Sequence, residues 1–99
     1  MTVIVRESIY ADLREAVLFY EEQEPGVGRE YLKHMLEEID RLTAHPGIHA
    51  KKGRFHRAVI KKYHTAIFYT LTQETLDIRR VLDQRRDPKW LRRELKRPL

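Results

Sequence analysis

Apolar residues in the first half of the chain recur every three or four positions in two separate segments. The first segment ends near Glu22, and its apolar stripe consists of Ile9, Leu13, Ala16, Val17 and Tyr20. The second covers residues 28–43, and its stripe consists of Leu32, Met35, Leu36, Ile39 and Leu42. This spacing predicts two amphipathic helices, with Ser8 as the N-cap of the first. Pro25 and Gly26 interrupt the pattern, so the helices are predicted to form an antiparallel hairpin.

The rest of the chain follows the alternation that is typical of strands. Residues 2–6 are rich in β-branched side chains and predict an opening strand. Beyond a predicted loop at residues 48–53, three further strands are predicted at residues 54–60, 63–72 and 75–83. Short polar turns separate these three, which predicts successive antiparallel hairpins. Ile78 and Val81 are three positions apart, and this break in alternation predicts a β-bulge.

A short helix is predicted to close the chain. Asp87 followed by Pro88 is typical of an N-cap and a first helical position, and Pro98 ends the helix. The element order β-α-α-β-β-β-α indicates the α+β class, with an antiparallel sheet, the helical hairpin packed on one face and the short C-terminal helix. Ninety-nine residues suffice for one core, so residues 1–99 are predicted to form a single domain.

Composition excludes several classes of protein. The chain has no cysteine, which excludes disulfides, thiol catalysis and cysteine-ligated zinc. The chain contains no run of about 18 apolar residues, so no membrane-spanning helix is predicted. The beginning of the chain becomes charged at Arg6, too early for a signal peptide. The protein is therefore predicted to be soluble and cytoplasmic.

The charge divides where the hydrophobic pattern changes. Residues 1–50 contain 5 Lys/Arg and 10 Asp/Glu, whereas residues 51–99 contain 15 Lys/Arg and 5 Asp/Glu. The basic residues of the second half occur in close pairs, and several are predicted to converge on the exposed face of the sheet, where they would bind an anionic partner. Alternatively, these charges only keep that face solvated. The acidic clusters of the helices are expected to be their solvated side.

The histidines do not form a recognisable metal site. His45 and His49 are four positions apart, but the Pro-Gly pair between them prevents the helix that would align them. His56 and His64 lie on separate predicted strands without a carboxylate at ligand spacing. We therefore expect no metal and no cofactor. Some aromatic residues of the second half can stack on bases, although such residues are more often part of a core: Tyr63, Phe68, Tyr69 and Trp90.

Several short motifs follow one another along nearly the whole chain. They are Ala11-Asp12-Leu13, Glu15-Ala16, Phe19-Tyr20-Glu21, Pro25-Gly26, Ala66-Ile67-Phe68-Tyr69, Val81, and Arg86-Asp87-Pro88 before Trp90. In this order they resemble the RelE/ParE superfamily, the toxins of bacterial type II toxin–antitoxin systems. The resemblance implies the same sheet with a helical hairpin that the periodicity predicts.

The resemblance implies one of two activities. RelE-type toxins are ribosome-dependent endoribonucleases, and their basic cradle would place Arg57 and Arg86 in catalytic roles here. RelE-type toxins also have an arginine on the middle strand, but Ala66 occupies that position here. No tyrosine follows Arg86. ParE-type toxins share the fold, inhibit DNA gyrase and need no such set, so the resemblance favours the ParE branch. Asp83 replaces a histidine often found in these toxins, which argues against phosphate binding at that position.

The leading hypothesis is a toxin that inhibits growth through DNA gyrase and is neutralised in a hetero-oligomer by a cognate antitoxin. The antitoxin is expected to lay an amphipathic or extended segment against the sheet and hairpin. The alternatives are a ribonuclease that acts on ribosome-bound mRNA, and a decayed toxin that serves as a binding module. The candidates for contact with target or antitoxin are Lys51, Lys52, Arg57, Lys61, Lys62, Arg79, Arg85, Arg86 and Trp90.

Overall fold

The computed structural model describes residues 1–98, which form three helices and five strands. The strands are β1 (Thr2–Val5), β2 (Lys51–Lys52), β3 (Phe55–Ile60), β4 (Thr65–Leu71) and β5 (Thr75–Asp83). The helices are α1 (Glu7–Gln23), α2 (Val27–Ala44) and α3 (Pro88–Lys96). A 3₁₀ turn at Lys61–Tyr63 joins β3 to β4. Within residues 1–98 no helix combines the length and the apolar character needed to cross a membrane.

All five strands belong to one sheet, in the order β1-β5-β4-β3-β2. The pairs β2–β3, β3–β4 and β4–β5 are antiparallel. Strand β1 is parallel to β5, with Thr2 opposite Thr75 and Val5 opposite Ile78. The predicted α+β class is confirmed, and the sheet is mixed rather than wholly antiparallel. Since no tight turn connects β1 to β5, their relative direction is decided by the path of the helical hairpin between them.

The predicted loop before the second strand contains the short edge strand β2. Lys51 lies opposite His56 and Lys52 opposite Phe55. Both lysines are exposed, so this strand has no buried side. Because a pair of lysines shows no alternation of apolar and polar residues, the pattern predicted a loop at this point.

The helical hairpin covers one face of the sheet, as predicted. Buried side chains of this core come from both helices and the sheet, and include Ile9, Leu13, Tyr31, Met35, Leu42, Ile67, Tyr69, Leu76 and Ile78. Leu36, which was predicted to face the core, is 49% exposed, and Tyr31 is buried in the inner stripe. Each residue of a helix is turned by about 100° from the preceding one. The burial of Met35 therefore directs Leu36 away from the sheet.

The two helices of the hairpin approach closely at Gly28. A Cβ atom there would lie 2.6 Å from the carbonyl oxygen of Val17. The Glu21 carboxylate accepts hydrogen bonds from the backbone N–H of Gly26 at 2.9 Å and of Gly28 at 3.0 Å. Gly26 has a φ of +93°, in the left-handed region that favours glycine. One acidic side chain of α1 therefore satisfies two of the free backbone donors at the beginning of α2.

Helix α3 covers part of the opposite face of the sheet. A second buried cluster consists of Phe55, Ala66, Phe68, Leu82 and Leu91, with Trp90 and Leu95 packed against it. Phe68 and Tyr69 point to opposite faces, and their exposed fractions are 1% and 0%. The predicted exposed face is therefore closed over β3, β4 and β5, because the apolar side of α3 lies on it.

Strand β5 contains the predicted bulge. Phe68 lies opposite Arg80 and Tyr69 opposite Ile78, so Arg79 is the extra residue. A bulge interrupts the alternation of side chains between the two faces. Arg79 and Arg80 both lie beside α3 as a result, and this local irregularity determines much of the surface described below.

The two predicted helix caps have different outcomes. The Asp87 carboxylate accepts a hydrogen bond from the backbone N–H of Lys89 at 2.8 Å, which confirms the cap of α3. Ser8 lies inside α1, and its Oγ donates to the carbonyl oxygen of Arg79 at 2.6 Å. The prediction that Ser8 caps α1 is wrong. Arg6 occupies the N-cap position without a side-chain cap.

Candidate functional site

The predicted contact residues lie in separate groups rather than in one cradle. One group lies beyond the ends of β3 and β5, and consists of Lys61, Lys62, Arg85, Arg86 and Trp90. The other lies at the opposite end of β3 and beside the bulge, and consists of Lys51, Lys52 and Arg79. Arg57 lies in β3, where its Nη1 donates to Gln84 Oε1 at 3.2 Å.

Several of these cations are neutralised within the protein. The ion pairs are Lys62 with Glu30 at 3.0 Å, Arg85 with Asp83 at 2.8 Å, and Arg79 with Asp77 at 3.2 Å. The hydrogen bond from Arg85 holds the pKa of Asp83 below its usual range. Asp83 is therefore ionised, and its charge is balanced by that arginine. Within residues 1–98, Lys51, Lys61 and Arg86 form no ion pair.

Arg86 is held against Trp90 instead of a carboxylate. The guanidinium carbon lies 3.8 Å from the centroid of the indole ring, which is a cation–π contact. Trp90 is half-buried because it packs on the cluster beneath α3. The arginine is exposed and keeps its charge at the surface. This pair therefore presents a positioned cation on a flat aromatic support.

A cavity of about 270 Å³ opens beside this pair. Its aromatic lining residues are Phe19, Tyr20, Tyr31 and Trp90, and its carboxylates are Asp12, Glu15, Asp83 and Glu94. Burial raises the pKa of Tyr20 and of Tyr31, so both phenols remain protonated. Most of the carboxylates are already paired with arginines of this chain. The cavity therefore offers aromatic surface, and its lining residues Arg86 and Glu15 form no ion pair within residues 1–98.

A buried ion-pair network closes the floor of the cavity. Arg80 Nε and Nη2 donate to the two carboxylate oxygens of Asp12, each at 2.8 Å. Arg80 Nη2 also donates to Glu94 Oε1 at 3.1 Å. The hydrogen bonds that Arg80 donates to Asp12 keep the pKa of Arg80 above its usual value. The network joins α1, β5 and α3, and thereby holds α3 on the sheet.

A larger cleft lies on the other side of α3, where Lys52 and Arg79 come together. Its volume is about 620 Å³. Phe55, Phe68 and Leu91 form the buried part of its lining. Neither this cleft nor the cavity contains all the predicted residues, and Lys51, Arg57, Lys61, Lys62 and Arg85 line neither of them.

Two of the five histidines, His49 and His56, contact Tyr69. His49 Nδ1 lies 2.6 Å from the Tyr69 hydroxyl, and the His56 ring stacks on the Tyr69 ring at 4.9 Å. Burial, together with the nearby His56, lowers the pKa of His49. Within residues 1–98 no three His, Asp or Glu side chains are grouped so that they could hold a metal ion.

Comparisons with known proteins agree with this fold. The family model of the ParE toxin of the type II toxin–antitoxin system, parDE, matches residues 3–88. The structure is similar to a solved structure of the chromosomal ParDE toxin–antitoxin system from P. aeruginosa, with a TM-score of 0.62 and 12% sequence identity. That match covers 82% of this chain and 92% of the other. No curated protein sequence matches the chain significantly.

A small mixed sheet with a helical hairpin on one face and a basic helix on the other defines a toxin fold of the RelE/ParE type. The chain belongs to the ParE toxin family of type II toxin–antitoxin systems. The predicted superfamily and its ParE branch are confirmed. A cognate antitoxin is accordingly a partner of this protein.

Several residues of these surfaces escaped the sequence analysis. The sequence analysis gave Asp12 no structural role beyond its place in a motif, yet it is buried against Arg80. No local pattern predicts this pair, since the two residues are 68 positions apart. Arg92 and Lys96 line the large cleft and are four positions apart in α3. Their spacing would have placed them on one side of the helix.

Proposed function

We propose that this toxin inhibits DNA gyrase in the cytoplasm and is held inactive there in a hetero-oligomer with its cognate antitoxin. Membership of the ParE family supports gyrase as the target. The alternative is ribosome-dependent cleavage of mRNA, the activity of RelE-type toxins. Ribonuclease activity would require a set of basic catalytic residues on the sheet face beneath α3, whereas inhibition of gyrase would not.

The observation that carries the proposal is the burial of Ala66. A RelE-type cradle would require an arginine at this position of the middle strand, and Ala66 is 0% exposed in the cluster beneath α3. The side chain of Arg86 lies on Trp90, and the tyrosine that a ribonuclease of this type would need after Arg86 is absent from the sequence. The groups that would polarise a scissile phosphate are therefore not assembled here.

The same geometry favours a binding role for Arg86 and Trp90. A guanidinium that already rests on an indole ring loses little conformational freedom when it contacts an anionic group. Arginine and tryptophan are also the residues that most often dominate the energy of protein interfaces. We therefore assign this pair to the contact with the target, with Lys61 at the same end of the sheet.

A supercoiling assay with purified gyrase tests the proposal. The wild-type toxin should abolish supercoiling and stabilise the gyrase–DNA cleavage complex. Arg86→Ala and Trp90→Ala should each weaken inhibition by about tenfold, the usual scale for a residue that dominates an interface. Lys33→Ala, an exposed cation on α2 without a partner within residues 1–98, is the matched control and should inhibit as the wild type does.

A parallel assay on translating ribosomes addresses the alternative. No mRNA cleavage is expected from the wild-type toxin. Cleavage that disappears in Arg57→Ala and Arg86→Ala would establish the ribonuclease. Unchanged supercoiling at toxin concentrations that arrest growth would refute the gyrase target. A protein that neither arrests growth nor affects gyrase would be the decayed toxin that acts only as a binding module.

A further inference from the structure

The hydroxyl of Tyr69 joins the sheet to residues 46–50, the segment between α2 and the edge strand β2. Tyr69 lies in β4 and is 0% exposed. The backbone N–H of Gly47 donates to the hydroxyl oxygen at 3.0 Å, and Nδ1 of His49 lies 2.6 Å from the same oxygen. Two residues of the segment therefore meet at one buried hydroxyl.

The positions of the protons in this contact follow from the hydrogen-bond network. A backbone N–H can only donate, so the Tyr69 oxygen is the acceptor for Gly47. The phenolic proton is then free to be donated, and His49 Nδ1 is the acceptor within reach. An imidazole nitrogen accepts a hydrogen bond only when it carries no proton. The contact therefore requires a neutral His49 with its proton on Nε2.

His56 supports the same segment from β3 in a different way. Its Nδ1 lies 2.8 Å from the carbonyl oxygen of His49, and because a carbonyl oxygen can only accept, this nitrogen carries a proton. The His56 ring stacks on the Tyr69 ring with 4.9 Å between the centroids and 12° between the planes. A second proton on His56 would bind to Nε2 and leave its hydrogen bond intact. Of the two histidines, only His49 must therefore be neutral.

A proton added to Nδ1 of His49 would turn the acceptor into a donor. The phenolic proton of Tyr69 would then lose its acceptor, and a buried donor without a partner is costly. Titratable groups from three elements interact with His49, namely Tyr69 on β4, His56 on β3 and Glu38 on α2. Burial and the nearby His56 lower the pKa of His49, whereas Glu38, which pairs with Arg41, acts in the opposite direction. The neutral form is therefore favoured in the closed arrangement.

Few other hydrogen bonds fasten this segment to the sheet. Within residues 1–98, the remaining one runs from the backbone N–H of Arg57 to the carbonyl oxygen of Ala50, at 3.0 Å. Strand β2 follows directly, consists of two exposed lysines and pairs with β3 alone. Ile48 is 76% exposed, so the segment buries little apolar surface there. Segments of this kind open at low cost. The contacts at the Tyr69 hydroxyl therefore contribute much of what keeps the segment in place.

We propose that His49 and Tyr69 form a proton-operated latch for residues 46–52. While His49 is neutral, the latch holds this segment, including β2, against β3 and β4. Protonation of His49 breaks its contact with Tyr69 and releases the segment, whereas the three helices and the other four strands stay folded. Lys51 and Lys52 are then no longer fixed at the edge of the sheet. The proposal does not depend on which target the toxin inhibits.

Amide hydrogen exchange followed by NMR tests the latch, with rates corrected for the intrinsic effect of pH on exchange. The probe is the N–H of Gly47. An open segment gives His49 its ordinary pKa of about 6.5, whereas the latch lowers that pKa, so protons favour the open form. Between about pH 7.5 and about pH 5 the protection factor of Gly47 should fall by about tenfold. The protection of Ile67, which is 0% exposed in the core, should not change.

Two variants separate the latch from other effects of acid. The amide oxygen of asparagine can accept a hydrogen bond near the position of Nδ1 and does not titrate, so Gly47 should stay protected at both pH values in His49→Asn. Tyr69→Phe keeps the ring but removes the hydroxyl, so protection of Gly47 should be low at both pH values. His45→Asn is the matched control. It makes the same replacement at an exposed histidine four positions earlier and should respond to pH as the wild type does.

Three results would overturn the proposal. The first is equal protection of Gly47 at the two pH values in the wild type. The second is a loss of protection in His49→Asn as large as that in the control, which would assign the titration to another group. The third is a parallel loss at Gly47 and Ile67, which would indicate unfolding of the whole domain. Urea unfolding at neutral pH shows whether each variant is folded, and the wild type with His49→Asn decides the question even if Tyr69→Phe is not.

Discussion

Replacement of Asp12 by alanine tests the buried network that holds α1, β5 and α3 together. Asp12 and Arg80 are each 9% exposed at the side chain. The Asp12 carboxylate accepts two hydrogen bonds from Arg80 at 2.8 Å and one from the backbone N–H of Val81 at 2.9 Å. Asp12→Ala removes all three hydrogen bonds and leaves Arg80 with Glu94 as its remaining acidic partner.

The expected loss of stability follows from this geometry. Breaking a buried ion pair costs about 3–5 kcal/mol, because one charge remains buried without its partner. Glu94 still neutralises part of the Arg80 charge, which places the expected effect near the lower limit, at about 3 kcal/mol. Small domains are stable by about 5–15 kcal/mol in total, so the variant should remain folded but lose a large share of its stability.

Urea unfolding followed by circular dichroism measures the effect. A loss of about 3 kcal/mol corresponds to a shift of the midpoint by about 1–3 M for the slopes usual in small proteins. Glu22→Ala, an exposed acidic residue on the same helix, should shift the midpoint little. Arg80→Met in the Asp12→Ala background should cost much less than in the wild type. A loss below about 1 kcal/mol for Asp12→Ala, within the range of a surface ion pair, would refute the reasoning.

The other predictions concern packing and pH. Gly28→Ala should lower the free energy of unfolding by about 1–3 kcal/mol, since its Cβ would lie 2.6 Å from the Val17 carbonyl oxygen; urea midpoints equal to the wild type would contradict this. The depressed pKa of half-buried His49 means that stability should decline as the pH falls below about 6.5, and His49→Phe should remove that decline in urea midpoints measured against pH. The pKa of Asp77 is lowered chiefly by its hydrogen bonds with Arg6, so a second decline should begin below about pH 4, and Arg6→Ala should flatten it.

The helical hairpin illustrates what can be predicted from local sequence. Ile9 and Leu13 recur at helical spacing, and both are buried where the pattern places them. The bulge was also predictable, because Ile78 and Val81 cannot alternate across a regular strand. The pairing of β1 with β5 and the burial of Asp12 by Arg80 were not predictable. Both depend on contacts between residues about 70 positions apart.

The candidate surfaces were predictable in kind but not in arrangement. Clusters of Lys and Arg in the second half indicated anionic partners, and Asp87 followed by Pro88 indicated a short final helix. Only the fold showed that α3 closes the sheet face over Ala66. It also showed that α3 separates Arg86 from Arg79. The direction of Arg79 depends on a bulge whose extra residue no spacing rule identifies.

The sequence by itself determined the helices, most of the strands, the family resemblance and the excess of positive charge in the second half, because each of these depends on residues close together in the chain. The tertiary structure decided which charges are neutralised, which faces are covered and which donors remain free. These properties depend on distances and burial between remote segments, where a buried ion pair or an unsatisfied N–H is worth far more than the same group in water.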